Sequence, residues 1–241
     1  MRGRRGGVTA AAMTAVLAGV LATGCTSAAT AGDDGDGAPP TASAASTRSA
    51  RVVESLAPDG TTVRVGSPEA KTVVRLYEDL RCPVCQSFET GGGGTALRGM
   101  IRSGEVRVDY TLASFLDARL GGHGSEKAAN ALRAALEAGK FAEYHDVLYA
   151  HQPEESVDGF TDAYLLAMAA KVKGLRGQEF DAAVKGMKYR DFVTASAQAY
   201  DASGVPGTPT MTVNGKPVNV LAQGASEGDM LPMLIRLAAA A

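Results

Sequence analysis

Polar and apolar side chains alternate most regularly between residues 105 and 112, and this alternation predicts a half-buried β-strand. Apolar, partly β-branched runs at residues 61–65 and 73–77 predict two earlier strands. From residue 125 to 202, apolar side chains recur every three or four positions, which is typical of amphipathic helices. Glycines and a proline divide this region into four or five helices, one of them capped by Thr161.

The C-terminal part of the chain predicts a β-hairpin followed by a helix. Strand signals at residues 210–213 and 216–220 flank Asn214-Gly215, a pair that favours a type I′ turn, and a final helix is predicted at about residues 229–239. Residues 85–100 are also predicted to be helical, with a break at the glycines 91–94, which we interpret as a tolerated local insertion. The order of strand, helix, strand, helical block, hairpin and helix predicts an α/β fold with a helical insertion.

The first 25 residues have the pattern of an export signal. Arg2, Arg4 and Arg5 precede an apolar run at residues 8–22 that is too short and too weakly apolar for a membrane span. Residues 21–25, Leu-Ala-Thr-Gly-Cys, resemble a bacterial lipobox whose leucine lies one place further from the cysteine than usual. This resemblance implies lipidation of Cys25 and anchoring to the outer face of the cytoplasmic membrane. The alternative is cleavage elsewhere, which leaves a free Cys25 thiol.

Composition separates a tether from a folded domain. Residues 26–50 contain no Leu, Ile, Val or aromatic residue, so we expect a flexible tether with a reach of roughly 25–30 Å. We therefore predict a signal peptide at 1–24, Cys25 and a tether through residue 55, and a folded domain at 56–241 with a helical insertion at about 115–203. The 241-residue chain is 45% hydrophobic, enough for a sizeable core, and its net charge of −2 offers no basic surplus for nucleic acid.

The sequence Cys82-Pro83-Val84-Cys85 follows the predicted strand at 73–77, at a point where a helix begins. Unpaired backbone N–H groups at a helix N-terminus favour a thiolate, so we expect Cys82 to have a lowered pKa and to act as the nucleophile. Pro83 suits the first helical turn, and Cys85, one turn on, is the resolving thiol. If Cys25 carries lipid, these two are the remaining cysteine pair, and one close pair in an exported chain indicates redox activity.

Two other interpretations of the cysteine pair stay open. One is an inert structural disulfide, since the C-x-x-C spacing occurs there too. The other is a zinc site, which needs four ligands. The remaining candidate ligands are Cys25, His123, His145 and His151. None of them is paired at ligand spacing with another Cys or His, so we predict no metal site.

The loop Gly204-Val205-Pro206-Gly207-Thr208-Pro209 completes a combination of motifs. Together with Cys-Pro-Val-Cys, the helical block, the Asn-Gly hairpin and the terminal helix, it resembles the DsbA-like branch of the thioredoxin-fold thiol-disulfide oxidoreductases. The similarity covers about residues 60–240 and includes segments 139–141 and 144–149 of the helical block. It implies a thioredoxin fold, oxidation of cysteine-containing exported proteins, no cofactor, and a membrane electron-transfer partner that reoxidises the cysteine pair.

The same resemblance implies roles for two loop residues. In such proteins the proline that matches Pro209 is cis and faces the disulfide, where it keeps metals and bulky side chains from the sulfurs. Thr208 would present its backbone to an extended substrate strand. The alternative from local rules alone is a loop with an ordinary trans proline.

Two departures from the family pattern bear on the direction of electron flow. Strongly oxidising members carry His where this chain has Val84, which cannot stabilise the thiolate with a charge or a side-chain hydrogen bond. Many members also have a buried acid six residues before the first cysteine, where this chain has Leu76; Glu78 and Asp79 lie nearby. A less stabilised thiolate means a less oxidising couple.

These observations predict an exported, lipid-anchored thiol-disulfide oxidoreductase that forms disulfides through Cys82 and Cys85. A reductase or isomerase of the same fold and a non-catalytic binding module are the alternatives. The three histidines are interpreted as surface or core residues, because thiol exchange needs no external base once the thiolate exists.

Overall fold

A mixed β-sheet forms the centre of the computed structural model, which describes residues 52–221, 228 and 230–241. Within these residues the strand order is β1-β2-β4-β3-β5-β6, and only the β3–β4 pair is parallel. The strands are β1 (Val53–Leu56), β2 (Val63–Gly66), β3 (Thr72–Asp79), β4 (Val106–Ala113), β5 (Thr210–Val213) and β6 (Lys216–Val218).

Helices connect the strands in the predicted order. The helices α1 (Pro83–Thr90) and α2 (Gly92–Ser103) join β3 to β4, and α9 (Leu231–Ala240) follows the hairpin. Between β4 and β5 lies the helical insertion, with the helices α3 (Phe115–Leu120), α4 (Gly124–Glu137), α5 (Phe141–Ala150), α6 (Asp162–Ala169), α7 (Gln178–Lys185) and α8 (Arg190–Ser203). The predicted cap is confirmed, because the Thr161 side chain accepts a hydrogen bond from the backbone N–H of Tyr164. The fold class is therefore α/β, with a helical insertion.

Strand β4 is more deeply buried than its alternating pattern predicts. All of its residues except Arg107 are buried, since helices of the insertion and α2 pack against it. Asp109 tolerates this burial because Arg107 Nε donates to its carboxylate at 2.8 Å and Arg64 lies 3.8 Å away. The alternation of polar and apolar residues correctly predicted the strand. Its polar side chains, however, do not face solvent, because helices cover that side of the sheet as well.

Strand β1 lies at the N-terminal boundary of the folded domain. Strand β1 begins at Val53 and pairs antiparallel with β2, so the domain starts before residue 56. A four-residue strand is too short for its own periodicity to identify it, and it forms because β2 offers backbone partners. The signal peptide, Cys25 and most of the tether were assigned to residues 1–51, which lie outside the described residues.

The glycine run at 91–94 is a break between two helices, as predicted, but it is not a tolerated insertion. Only Gly91 lies between α1 and α2, and the other three glycines form the first turn of α2. A Cβ on Gly94 would lie 2.4 Å from the carbonyl oxygen of Glu89. Glycine is therefore required there, because the two helices approach too closely for any side chain.

The predicted hairpin turn is confirmed by its backbone. Asn214 and Gly215 both have positive φ, at 47° and 83°, as a type I′ turn requires. The Asn214 side chain also accepts a hydrogen bond from the backbone N–H of Val73 at 2.9 Å, which ties the turn to β3. Among the described residues, no helix has the length and apolar character needed to cross a membrane.

Candidate active site

The cysteine pair lies at the junction between β3 and α1. Strand β3 ends at Asp79, Cys82 is the residue before the first helical turn, and Pro83 opens α1. Both cysteines are free thiols; Cys82 retains 7% exposure at the surface, whereas Cys85 is fully enclosed. One sulfur is thus accessible to a substrate and the other is not.

The two thiols differ strongly in acidity. A hydrogen bond from the Cys85 thiol is the largest of the effects on Cys82, and contacts with Thr208 and the backbone N–H groups of Cys85 and Val84 add to it. Together they outweigh burial and lower the pKa of Cys82 to about 6. Burial, followed by the hydrogen bond to the Cys82 sulfur, raises the pKa of Cys85 well above 9. The Val84 side chain contributes nothing to this acidity, and the lower potential expected from it stays a prediction.

We expect the reduced protein to be alkylated at Cys82 with a pH midpoint near 6. Rates measured by iodoacetamide labelling and peptide mass mapping, in a Cys25→Ser background, test this. The Cys85→Ala variant is the control, because losing the Cys85 thiol donor should move the Cys82 midpoint upward. Because folding lowers the Cys82 pKa, the Cys82 thiolate stabilises the folded protein. This stabilisation is complete above about pH 9 and is lost as the pH falls through 6. A midpoint above pH 8 would contradict this assignment.

The loop at 204–209 contacts the nucleophile, although Thr208 lies 126 residues after Cys82 in the sequence. The Cys82 thiol donates to the Thr208 carbonyl oxygen across 3.4 Å, and the Thr208–Pro209 peptide bond is cis, as the resemblance implied. Cys82 and Thr208 line one cleft of about 410 Å³ together with residues of α3 and α8. The structure therefore brings together the two motifs that the sequence analysis singled out.

A buried acidic cluster beneath the cysteines was not predicted as a unit. Glu78, Glu89 and His145 offer ligand atoms that all lie within 4.8 Å of one another, and all three side chains are buried. His145 Nε2 lies 2.9 Å from a Glu78 carboxylate oxygen, and Glu89 contacts Arg98 at 3.3 Å. The Oε1 atoms of both glutamates have no partner among the described residues. Such an arrangement is stabilised by a shared proton or by a bound cation, so the predicted absence of a metal stays a prediction.

Burial dominates the acidity of this cluster. It raises the pKa of Glu78 to about 8, against a hydrogen bond from Glu89 and with added repulsion from the Cys82 thiolate. Burial also raises the pKa of Glu89 and lowers that of His145, which is therefore neutral at pH 7. His145 is a core residue, as interpreted, but its imidazole lies beside a proton-binding carboxyl. A hint was present in the sequence: Glu89 is seven residues after Cys82, and so lies on the same face of α1 as both cysteines.

We expect Glu78→Gln to make the protein less sensitive to alkaline pH. Because folding raises the Glu78 pKa from 4.5 to about 8, wild-type stability falls as the pH rises between these values. Relative to wild type, the variant should gain at least about 1 kcal/mol between pH 5 and pH 9. Urea unfolding of the reduced proteins at both pH values measures this. The matched variant Glu69→Gln changes an exposed carboxyl and should show no such gain; an equal gain in both would contradict the assignment.

A second buried network holds the residues just before Cys82. Arg81 is 2% exposed and donates to Asp117 at 2.8 Å and to the carbonyl oxygens of Gly121 and Glu155. Asp79 accepts from the Ser125 hydroxyl at 2.6 Å, and burial raises its pKa to about 6. The segment between β3 and α1 is thereby attached to the helical insertion.

Comparison with known proteins assigns the chain to a family. A thioredoxin family model matches residues 58–227. The Na(+)/H(+) antiporter NhaA 3 of Salinispora tropica is 34% identical over 177 residues, which are 70% of this chain but span only about a quarter (24%) of that protein.

Solved structures extend this result. The reduced form of the disulfide bond oxidoreductase DsbG from Mycobacterium tuberculosis is 26% identical, with a TM-score of 0.57 over 74% of this chain and 94% of that one. Reduced DsbA from the same organism is 28% identical, with a TM-score of 0.57 and coverages of 75% and 98%. BdbD from Bacillus subtilis, at 19% identity and a TM-score of 0.64 over 80% and 99%, shares the fold. The chain belongs to the thioredoxin family and has the fold of its DsbA-like members.

Proposed function

We propose that this protein is a thiol-disulfide oxidoreductase that forms disulfide bonds in exported, cysteine-containing proteins. The observation that carries the proposal is that the two cysteines differ in accessibility and in pKa. Cys82 opens onto a cleft with its pKa lowered to about 6, whereas Cys85 is enclosed with its pKa raised. A sulfur of low pKa is a good leaving group and a stable product, which favours the passage of the disulfide to a substrate.

The reaction starts from the oxidised protein. A substrate thiolate attacks the Cys82 sulfur; the Cys82–Cys85 bond breaks, and Cys85 leaves with the electron pair and takes up a proton. A second substrate thiolate then attacks the substrate sulfur of this mixed disulfide and releases Cys82 as a thiolate. Two substrate thiols have lost two electrons, and the protein holds a reduced pair. Pro83 and Val84 hold the two cysteines one helical turn apart. Thr208 lies opposite Cys82 in the cleft, and we assign to Thr208 and the cis Pro209 the contact with a substrate strand.

The relatives support this class of activity. The two proteins from Mycobacterium tuberculosis are described as DsbA and as a disulfide bond oxidoreductase, DsbG, and both exceed 25% identity over about three quarters of this chain. The lowered pKa of Cys82 favours the oxidase over the reductase alternative, because stabilising the reduced form raises the potential. The thiolate that keeps the pair reactive also argues against a non-catalytic binding module.

Continued turnover requires reoxidation of the cysteine pair. We assign this step to a membrane electron-transfer partner and place the protein at the outer face of the cytoplasmic membrane, anchored by lipid on Cys25. Tethering at the membrane would raise the effective concentration of the pair near that partner. Radiolabelled palmitate incorporation into the wild type and not into Cys25→Ser tests the anchor.

A redox titration tests the direction of electron flow. The Cys25→Ser protein is equilibrated in glutathione buffers, and the fraction of reduced Cys82 is measured by thiol labelling. An oxidase should have a potential well above the roughly −270 mV of a reducing thioredoxin. A value at or below that figure would assign the protein to the reductase alternative. Peptide oxidation that is unchanged in Cys82→Ser would instead identify a binding module.

A further inference from the structure

We propose that Arg119 selects substrates by binding a carboxylate that the substrate carries close to its reactive cysteine. This proposal rests on the proposed function, and it names a substrate class for the same site: cysteine-containing segments with acidic neighbours. Arg119 lies on α3 and lines the cleft that Cys82 and Thr208 also line.

Helix α3 is firmly held beside the nucleophile. On its inner side, Asp117 accepts hydrogen bonds from Arg81 at 2.8 Å and from the backbone N–H groups of Ser125 and Glu126 at 3.0 and 2.9 Å. Arg81 directly precedes Cys82, so one buried ion pair links α3 to the cysteine motif. The outer side of α3 is thereby kept in a constant position relative to the Cys82 sulfur.

On that outer side lies Arg119, whose guanidinium is supported by an aromatic ring. Arg119 follows Phe115 by one helical turn, and its guanidinium carbon lies 5.3 Å from the centre of the Phe115 ring. The Phe115 ring in turn stacks on Tyr200 of α8, with ring centres 5.4 Å apart and planes inclined by 10°. Stacking limits the freedom of the arginine side chain, so less conformational entropy is lost when it binds a ligand.

The Arg119 guanidinium has no protein acceptor in the described part of the chain, where it forms neither a hydrogen bond nor an ion pair. Its fork of N–H groups matches the geometry of a carboxylate. The aromatic rings of Phe115 and Tyr200 line the same cleft, and an apolar wall strengthens a charge contact beside it.

One residue of the cleft opposes an acidic substrate. Glu155 is the single carboxylate among the described residues that line the cleft, and its backbone carbonyl oxygen accepts a hydrogen bond from Arg81. A substrate carboxylate is therefore attracted by Arg119 and repelled by Glu155, which limits the preference to acidic groups that reach the α3 side. Removing the Glu155 charge should strengthen the preference.

The test uses three peptides with one cysteine each, identical except that the residues flanking the cysteine are glutamates, lysines or glutamines. Each peptide reduces the oxidised full chain, which carries Cys25→Ser. The observed rate is divided by the concentration of that peptide's thiolate form, which gives a second-order rate constant for the thiolate. The division is needed because flanking charges change the acidity of the peptide thiol. The variants are Arg119→Gln, Arg119→Lys, Glu155→Gln and the control Arg190→Gln. Arg190 begins α8, about 15 Å along that helix from Tyr200, and its loss changes net charge equally.

We expect the glutamate peptide to react about threefold to fivefold faster than the lysine peptide with the wild type. The ratio should fall to 1 or below in Arg119→Gln, where Glu155 remains, persist in part in Arg119→Lys, rise in Glu155→Gln and stay unchanged in Arg190→Gln. A wild-type ratio near 1, or an equal loss in Arg119→Gln and Arg190→Gln, overturns the proposal while leaving the proposed function intact. Failure of every peptide to reduce the Cys82–Cys85 disulfide overturns both.

Discussion

Replacing Cys82 with serine should reduce peptide oxidation to the uncatalysed rate, a loss of roughly 10³-fold or more, because no other described sulfur is accessible from the cleft. Replacing Cys85 with serine should have a different consequence. When Cys82 of this variant is first linked to a small aromatic thiol, a single-cysteine peptide displaces that thiol and forms a mixed disulfide with Cys82, which accumulates because the resolving thiol is gone. Oxidation of a dithiol peptide measures the first outcome, and non-reducing electrophoresis with the single-cysteine peptide measures the second.

Together, the two variants show which cysteine is the nucleophile and which is the resolving thiol. Cys82→Ser should trap no complex, whereas Cys85→Ser should trap a complex whose disulfide maps to Cys82 by mass spectrometry. Both variants need a folded domain, which circular dichroism checks. Complexes that map to Cys85 would contradict the assigned order, since that sulfur is fully buried in the reduced protein.

Replacing Arg81 with methionine should cost about 3–5 kcal/mol of unfolding free energy, the second large effect we expect. The guanidinium is 2% exposed and is the cation that faces the buried Asp117 carboxylate at 2.8 Å. Its removal also leaves the carbonyl oxygens of Gly121 and Glu155 without their donor. A loss of this size approaches the total stability of many domains, so urea unfolding should shift to much lower concentrations.

An exposed ion pair provides the matched control for this experiment. Arg236 donates to both carboxylate oxygens of Glu105, at 2.6 and 2.9 Å, but its side chain is largely exposed. Arg236→Met makes the same chemical change and should cost less than about 1 kcal/mol, because water replaces the lost contact. Equal losses in the two variants would show that burial of Arg81 is not what makes its pair important.

Both expected effects concern the same small region of the molecule. Arg81 and Cys82 are consecutive, and Gln152 donates to the carbonyl oxygens of Leu80 and Cys82 at 2.7 and 3.0 Å. The helical insertion therefore supports the redox motif through contacts to the residues around it. A change in the insertion that loosens these contacts should alter the reactivity of Cys82 as well as stability.

Short-range features of this chain were determined by its sequence. The position of Cys82 at a helix start, the turn at Asn214-Gly215, and the cap at Thr161 depend on residues within a few positions of one another. The backbone conformation at such sites is decided by local sterics and by nearby hydrogen-bond partners. The matching motif at Thr208 and Pro209 was recognisable by resemblance, but the sequence alone did not supply its distance from Cys82.

Tertiary structure alone decided which charged groups are buried. Local rules place Arg81 and Glu78 at the surface, because burying a charge is costly unless a partner compensates it. The partners come from far along the chain: Asp117 is 36 residues from Arg81, and His145 is 67 residues from Glu78. The need for glycine at 94 likewise arises from the packing of α1 on α2. Charge burial depends on contacts that form only when distant segments fold together, which is why the raised pKa of Glu78 could not be predicted from the order of the residues, whereas the lowered pKa of Cys82 could.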